Sequence, residues 1–385
     1  MPDVHEPVPF APPAIDDGDV AAVERVLRSG WLTSGEECVK LEQELAARLD
    51  APHAVVVASC TAAIEAAYAG LALPDGARLG VPTWTFASTA LAPYHHGAHP
   101  VLLDVDPDTL NVSPAAVEAA LADGGLDAIV IVHFGGVPVA REVRDLCAAA
   151  GVRVIEDTAH GLGARDERGP MGGAGTVGSC LSFYATKNLT SGEGGALVTH
   201  DDAVADFARS FRQHGMSRDA WDRYRPGKWA QYDIVTAGIK ANLPDLLAAL
   251  ARSQLARFDE LQEIRRRYVL RYRDALAGVE GLAWVPGEVV ADGADHLAVV
   301  VLPEDVDRLA IQQALTADGV ATSVHFQPLH RFAWFEANAE VGPAGVAAAE
   351  SVADRVLSLP LSPALAEHQI DRVADVLTAA VAAQR

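Results

Sequence analysis

The sequence from Ser179 to Thr199 reads SCLSFYATKNLTSGEGGALVT and holds a single lysine between two apolar runs. The runs Cys180–Phe183 and Ala196–Val198 predict two short buried strands, and the glycines between them predict a turn. Lys187 therefore lies where a strand gives way to a loop. If its side chain is removed from water there, the ammonium form is disfavoured, and the neutral amine can attack a carbonyl to form a Schiff base. The alternative is a solvated surface lysine, the commoner state of this residue.

The chain before this stretch alternates short apolar runs with helical stretches rich in alanine and leucine. Such alternation is typical of an α/β fold whose mainly parallel sheet is covered by helices on both faces. The predicted strands are His53–Val57, Leu79–Val81, Val101–Asp104, Ala128–His133 and Val152–Ile155. The predicted helices are Asp19–Arg28, Cys38–Leu49, Thr61–Leu71, Ser113–Leu121 and Ala140–Ala150.

The C-terminal part predicts a second, smaller α+β domain. Leu246–Leu276 is strongly helical and charged, which predicts one long helix leading into that domain. We therefore expect a large α/β domain over residues 1–250 and a small domain over residues 251–385. Its predicted strands are His296–Leu302 and Val320–His325, and its predicted helices are Asp305–Ala317, Val346–Val356 and Glu367–Ala382.

Composition and charge exclude several classes of protein. No apolar run in the 385 residues approaches the roughly 20 residues that span a bilayer, and the N-terminus is acidic and proline-rich, so we expect a cytoplasmic protein. The four cysteines lie far apart without CxxC spacing, which predicts reduced thiols and no zinc site. His95 and His96 lack further ligands at metal-binding spacing. The net charge of −22 opposes binding to nucleic acid.

Ligands of parallel α/β sheets bind beyond the carboxyl ends of the strands, and this rule selects candidate residues. Ser59, Cys60 and Thr61 follow the first strand and open a helix, where free amides and the helix dipole favour an anion; an ordinary N-cap is the alternative. Asp157 closes an apolar strand, where its carboxylate needs a partner such as a protonated ring nitrogen. The alternative for Asp157 is a helix cap, and His160 either lies near the same ring or is a satisfied histidine.

Two further segments are ambiguous. Residues 173–178 match G-x-G-x-x-G, but the glycines precede a strand instead of following one, so we do not predict a dinucleotide site. The segment Arg209–Trp229 concentrates basic and aromatic side chains in an otherwise acidic chain. It is suited to hold a diphosphate and stack a base, with a solvated surface loop as the alternative.

Together, these motifs resemble the DegT/DnrJ/StrS family of pyridoxal-phosphate sugar aminotransferases, which have the aspartate aminotransferase-like fold type I. The resemblance runs from GWLTSG to SLPLSP and is carried by SCTAAI, PTWTFAST, EDTAHG, SFYATKNLTSGEGG, GIKANLPDLLAAL and VHFQPLH. Cys60 departs from the glycine that is common there, and HFGGVP is a variant of the usual run. The family includes dehydratases in which histidine replaces the lysine; since Lys187 is retained here, transamination is favoured.

The resemblance implies a role for each matching residue. Lys187 would hold the cofactor as a Schiff base, Asp157 would pair with the pyridine nitrogen, His160 would approach the ring hydroxyl and Phe86 would stack on the ring. An asparagine reaching the phosphate from the neighbouring subunit implies a homodimer with shared active sites. Phosphate binding is implied for Thr61, Ala62, Ser182 and Asn242, and substrate binding for Trp31, Thr33, Tyr184, Lys240 and His325.

The implied reaction moves an amino group from L-glutamate to a nucleotide-linked keto-deoxysugar. The amine of Lys187 would remove the α-proton of the donor. KNLTSGEGG resembles the 4-aminotransferase branch more than the KNLGALGDGG pattern of 3-aminotransferases, which favours a 4-keto-6-deoxyhexose as acceptor. Two alternatives stay open: an acceptor that is a cyclitol ketone, as in aminoglycoside pathways, and a cofactor-binding sensor without turnover.

Overall fold

The computed structural model describes residues 6–217 and 232–385, which form an α/β fold. The strands are β1 His53–Val57, β2 Arg78–Pro82, β3 His99–Leu103, β4 Ala128–Val132, β5 Arg153–Asp157, β6 Arg165–Asp166, β7 Gly169–Pro170, β8 Gly178–Ser182, β9 Gly195–Thr199, β10 Ala283–Val285, β11 Ala298–Val301, β12 Glu340–Val341 and β13 Val356–Leu359. The helices in these residues are α1 Asp17–Ser29, α2 Glu36–Arg48, α3 Cys60–Ala69, α4 Ser88–Tyr94, α5 Pro114–Ala122, α6 Arg141–Ala150, α7 Asp202–Phe211, α8 Asp245–Ala256, α9 Phe258–Ala275, α10 Arg308–Ala317, α11 Ala333–Asn338, α12 Ala347–Val352 and α13 Glu367–Ala382.

The large sheet has eight strands in the order β1-β9-β8-β5-β4-β2-β3-β12. β9 runs antiparallel to both of its neighbours, and the other pairs are parallel. Every residue of β4 is buried, because helices cover both faces of the sheet and its apolar side chains pack on each side. The predicted fold class, an α/β fold with a mainly parallel mixed sheet, is confirmed.

Short polar residues set where several helices begin. The Ser59 hydroxyl accepts a hydrogen bond from the Ala62 amide at the start of α3, and Ser113 and Asp307 cap α5 and α10 in the same way. Because α3 begins directly after β1, its N-terminus lies at the carboxyl end of that strand.

A smaller antiparallel sheet, β10-β11-β13, packs against α9, α10 and α13. Its core joins Val300 and Leu357 of the sheet to Tyr272 and Leu377 of the helices. The chain crosses more than once between the region of the large sheet and that of the small sheet. Val8 packs in this second core, while β12, which precedes the last strand of the small sheet, adds an edge to the large sheet beside β3.

The prediction of one helix over Leu246–Leu276 is wrong, because α8 and α9 are separate helices. At Arg257 the backbone leaves the helical region, with φ −115° and ψ 18°. The Arg257 side chain forms an ion pair with Asp19 of α1. The break lets α8 pack with α1 and α2 beneath the large sheet while α9 packs against α13.

Two other element predictions in the C-terminal part are wrong. Val320–His325 is not a strand: Val320 and Ser323 each make one bridge, to Val8 and Ser358, and the N-terminal segment satisfies the backbone of Ala321. The predicted helix Val346–Val356 ends at Val352, because Val356 begins β13 and pairs with β11 in the buried sheet.

Part of the basic segment Arg209–Trp229, from residue 218 onwards, lies outside the described residues. The Arg212 guanidinium is buried and donates hydrogen bonds to the Glu42 carboxylate and the Val56 carbonyl, each at 2.6 Å. Arg209 pairs with Asp206. The Arg212 side chain therefore makes contacts that stabilise the fold. Any ligand of the segment would be bound by its other residues.

All four cysteines are free and buried, as predicted. Burial raises the pKa of the Cys60 and Cys180 thiols well above their ordinary value and that of Cys147 to about 11. These thiols are therefore protonated and unreactive at neutral pH. Among the helices of the described residues, none combines the length and apolar character needed to cross a membrane.

Candidate active site

A cavity of about 490 Å³ lies at the edge of the large sheet where three neighbouring strands end. Val132, Asp157 and Ser182 are the last residues of β4, β5 and β8, and all three line it. The cavity thus occupies the position that parallel α/β sheets use for ligands. The predicted site residues that line it are Thr61, Phe86, Asp157, His160, Ser182, Tyr184, Lys187 and His325.

Lys187 reaches this cavity from the loop after β8. Its backbone amide donates to the Tyr184 carbonyl at 2.9 Å, which closes the turn that presents the side chain. Burial lowers the pKa of Lys187 to about 8, although the negative charge of Asp157 acts in the opposite direction. A fraction of the amine is therefore neutral at neutral pH and can attack a carbonyl.

The Asp157 carboxylate is 5% exposed and forms the floor of the site. Its Oδ1 accepts a hydrogen bond from the Ala159 amide at 3.1 Å, and its Oδ2 accepts one from the Thr89 hydroxyl at 2.8 Å. Burial raises the pKa of Asp157, whereas these two donors and the Lys187 charge lower it. A carboxylate held in this way is suited to pair with a cationic ring nitrogen placed in the cavity.

His160 is fixed as a neutral ring. Its Nδ1 accepts a hydrogen bond from the Gly135 amide at 3.2 Å, which leaves the proton on Nε2. The ring packs against that of His296, with centroids 4.3 Å apart, and burial lowers the pKa of His160 well below its ordinary value. His160 can therefore offer an N–H donor to a ligand in the cavity.

The start of α3 supplies an anion site. Ser59 and Thr61 line the cavity at the N-terminus of this ten-residue helix, with Ser182 also in the lining. Ala62 lies one position further along, where its amide is bonded to the Ser59 hydroxyl at 3.2 Å. Hydroxyl groups and a helix N-terminus together favour a phosphate group.

Aromatic residues form the opposite wall. Phe86 is 60% exposed, and its ring centroid lies 6.0 Å from that of Phe326. The adjacent His325 forms a hydrogen bond between its Nδ1 and the Ser358 hydroxyl at 3.0 Å, and burial lowers its pKa to about 4. Segments far apart in the sequence thus enclose one cavity.

Besides Ala62, four predicted site residues do not line this cavity: Trp31, Thr33, Lys240 and Asn242. They gather instead around Ser34: the Asn242 amide donates to the Ser34 hydroxyl at 2.6 Å, and the Trp31 indole donates to its carbonyl at 3.2 Å. The Lys240 ammonium donates to the Asn242 side-chain oxygen, and Thr33 accepts from the Asp245 amide. Within one chain, these four residues therefore form a cluster that is separate from the cavity.

Sequence reasoning missed Thr85, Thr89 and His296. Thr85 and Thr89 belong to the PTWTFAST motif, but Thr85 lies in the bend before α4, so helical spacing gave no signal that the two hydroxyls meet. His296 carries no local signal, because its contact with His160 depends on how the C-terminal part folds back.

The fold and the cavity define a class: the pyridoxal-phosphate enzymes of fold type I, with a lysine after a strand, a buried aspartate and a hydroxyl-rich helix start. The chain belongs to the DegT/DnrJ/EryC1/StrS aminotransferase family, whose sequence profile matches residues 13–378. The predictions of family, fold type, aminotransferase activity and pyridoxal phosphate as cofactor are confirmed.

Individual relatives agree with this assignment over nearly the whole chain. The spore coat polysaccharide biosynthesis protein SpsC of Bacillus subtilis (strain 168) is 36% identical over 380 residues, which cover 96% of each chain. The S. venezuelae protein DesV is 30% identical, with a TM-score of 0.84 over 97% of this chain and 98% of that one. A putative sugar aminotransferase from Streptococcus pneumoniae, solved in its PMP form, is 26% identical, with a TM-score of 0.88 over 98% and 100%.

Proposed function

We propose that this protein transfers an amino group from L-glutamate to the keto group of a nucleotide-linked 4-keto-6-deoxyhexose. The observation that carries the proposal is the cavity itself, in which the Lys187 amine, with a pKa lowered to about 8, faces the same space as the buried Asp157 carboxylate. Without both groups, the amino-transfer chemistry has neither its base nor its counter-charge.

The residues of the cavity fit the cofactor by their chemistry. Pyridoxal phosphate supplies an aldehyde that condenses with amines and a ring that takes up the electron pair released when a C–H bond breaks. Asp157 would hold the ring nitrogen in its cationic form, and His160 would donate its Nε2–H to the ring hydroxyl. Phe86 would cover one face of the ring. The phosphate would be held by Thr61, Ser182 and the amides at the start of α3, and the Ala62 amide would exchange its bond with the Ser59 hydroxyl for one with the phosphate.

Lys187 has two tasks in this proposal. As a neutral amine it anchors the cofactor, and once an amino substrate has displaced it, it takes the proton from the α-carbon of the donor. In the second half-reaction it returns a proton to the sugar carbon that becomes aminated. A pKa near 8 suits both directions, since the amine is then present in its charged and neutral forms near neutral pH.

The proposed acceptor is inferred from a sequence motif and from similarity to a sugar aminotransferase. KNLTSGEGG resembles the 4-aminotransferase branch of the family, and the S. pneumoniae relative is described as a putative sugar aminotransferase. Tyr184 and His325 line the cavity and would contact the sugar, while L-glutamate follows from the habit of the family. The basic segment Arg209–Trp229 would bind the diphosphate, mainly through residues outside the described ones.

We further propose a homodimer in which each chain completes the other's site. The support is the placement of Trp31, Thr33, Lys240 and Asn242, which form a cluster outside their own cavity. In the partner subunit's site, Asn242 would bind the cofactor phosphate and the other three residues would contact substrate.

The decisive experiment offers keto-sugar nucleotides, free keto-sugars and cyclitol ketones to enzyme loaded with pyridoxamine phosphate. We expect a nucleotide-linked 4-keto-6-deoxyhexose to restore the aldehyde absorbance, and Lys187→Ala to abolish this signal while Lys40→Ala, at an exposed lysine, retains it. Preferential turnover of a cyclitol ketone would show that the acceptor is a cyclitol and not a nucleotide-linked sugar. Failure of every donor and acceptor with cofactor bound would instead support a sensor.

A further inference from the structure

Thr89 makes the strongest side-chain contact to Asp157. Its hydroxyl lies 2.8 Å from Oδ2, and both residues are buried, with Thr89 0% and Asp157 5% exposed. An ionised carboxylate only accepts hydrogen bonds, so the Thr89 proton points to Asp157. Hydrogen bonds to a charged acceptor in a buried site are among the stronger ones in proteins.

Thr85 extends this contact to the wall of the cavity. The Thr85 and Thr89 hydroxyl oxygens are 2.7 Å apart, and Thr85 lines the cavity. A hydroxyl carries one proton, and that of Thr89 is already given to Asp157. Thr85 must therefore donate to Thr89, and the order Thr85 to Thr89 to Asp157 is fixed as long as the carboxylate is ionised.

The local fold explains why the two hydroxyls meet. Thr85 follows β2 and precedes α4, and Thr89 lies in the first turn of α4, four residues further on. Residues 83–85 form a bend between the two elements, so Thr85 precedes the helix and meets Thr89 across this bend. The Thr89 hydroxyl is directed to the end of β5, where Asp157 lies.

We propose that Thr85 and Thr89 are positioning residues that keep the Asp157 carboxylate ionised and oriented toward the ring nitrogen of the cofactor. This inference rests on the proposed function, because it gives Asp157 that partner. The other titratable groups that act on Asp157 are Lys187, Cys60 and Cys180. Of these, the Lys187 charge and the Cys60 thiol, whose Sγ lies 3.8 Å from Oδ1, both oppose the burial that raises the pKa of Asp157, and both thiols are protonated.

The test is Thr89→Val, which keeps the volume and removes the donor. We expect the dissociation constant of pyridoxal phosphate to rise about tenfold to a hundredfold, the range typical of a hydrogen bond to a charged group. The pH midpoint of the visible absorbance of bound cofactor should also move upward. A cationic ring lowers the pKa of the Schiff-base nitrogen beside it, so a weaker hold on the ring proton raises that pKa.

Three comparisons separate positioning from packing. Thr89→Ser restores the hydroxyl and should return the midpoint to its wild-type value, and Thr85→Val should shift it in the same direction as Thr89→Val but less. Thr83→Val is the matched control, because it removes another buried threonine hydroxyl, bonded to His330, that does not touch Asp157. A cofactor analogue with C–H in place of the ring nitrogen should bind wild type and Thr89→Val equally.

An unchanged midpoint and affinity in Thr89→Val would overturn the inference, as would an equal loss of affinity for the C–H analogue. If Thr89→Val does not fold, the Thr85→Val and Thr89→Ser titrations decide. These titrations contain no substrate, so they remain informative if the proposed acceptor is wrong. A wild-type protein that fails to bind pyridoxal phosphate would count against the proposed function itself.

Discussion

At Lys187 the fold removes an amine from water in order to make it reactive, and this has a cost in stability. The pKa of about 8 is below the ordinary 10.5, so the unfolded chain binds the proton more tightly than the folded one. The penalty is fully present below pH 8 and disappears as pH rises from about 8 toward 10.5. Catalytic groups commonly destabilise the folded state in this way.

Lys187→Met should therefore stabilise the cofactor-free protein while abolishing amino transfer. We expect the free energy of unfolding at neutral pH to rise by about 1–2 kcal/mol, less than the full pKa shift implies because the amine reaches the cavity. The gain should shrink above pH 8. Urea denaturation measures it, with Lys40→Met at an exposed position expected to change stability by less than about 0.5 kcal/mol; a destabilised Lys187→Met would contradict this account.

Asp157 raises the pKa of Lys187 through its charge, and this gives a second prediction at the same scale. Capture of pyridoxal phosphate by the free protein should accelerate with pH and level off above about pH 8. In Asp157→Asn the midpoint should move to lower pH, because no carboxylate then stabilises the charged form of the Lys187 amine. The captured cofactor should also be held less tightly. Borohydride trapping at timed intervals measures the rates; an upward shift would be inconsistent with the charge interaction.

Among the secondary-structure elements, the junction of α8 and α9 shows how a long-range contact divides a helix. Asp19 is 1% exposed, caps the start of α1 together with Asp16, and accepts hydrogen bonds from Gln254 in the last turn of α8 and from Arg257 at the break. The ion pair fixes the direction in which α9 leaves toward the small sheet.

Asp19→Ala should destabilise the protein by about 2 kcal/mol, because Gln254 and Arg257 lose their buried charged acceptor while Arg257 keeps its ion pair with Asp16. Asp17→Ala removes an exposed carboxylate from the same helical turn and should cost less than about 0.5 kcal/mol. Chemical denaturation of both variants gives the comparison. Equal effects would show that the charge of the helix start, and not the contact with α8 and α9, is what matters.

These elements also show what sequence reasoning can reach. Apolar runs predicted β1, β4, β8 and β9 because buried strands are recognisable locally. The break at Arg257 was not predictable, since its partner Asp19 lies 238 residues away. In the candidate site, motifs predicted Lys187 and Asp157, which line one cavity, whereas Thr89 and His296 reach this region through contacts that only the folded chain creates.

At the scale of the whole molecule, segments from the N-terminal and the C-terminal part of the chain each cross to the opposite region of the fold. Val8 packs with the small sheet, and β12 joins the large one. The division into residues 1–250 and 251–385 and the cytoplasmic location stay predictions. Because the cluster around Asn242 lies outside its own chain's cavity, the first question about the intact protein is whether two chains assemble so that this cluster completes the partner's site.

Mixing two inactive variants tests whether two chains share their active sites. Lys187→Ala and Asn242→Ala should each be inactive or nearly so as homodimers, but a hybrid holds one site with both the lysine and the partner's asparagine intact. After random exchange of subunits, about a quarter of the wild-type activity should return. Two Lys187→Ala chains carrying different tags are the control, and no recovery in verified hybrids would place Asn242 outside the partner's site.

The buried thiols offer a way to observe the protein opening. Because Cys38, Cys147 and Cys180 are buried away from the cavity and their pKa values are raised, an alkylating reagent can modify them only when the surrounding structure transiently separates. Cys180 reports on the region around Asp157 and Cys147 on the helical layer of α6, whereas Cys60 lines the cavity, where a bound ligand would shield it directly. Labelling rates followed by mass spectrometry should slow at Cys180 when cofactor is added and remain unchanged at Cys147, which would map where ligand binding suppresses breathing motions.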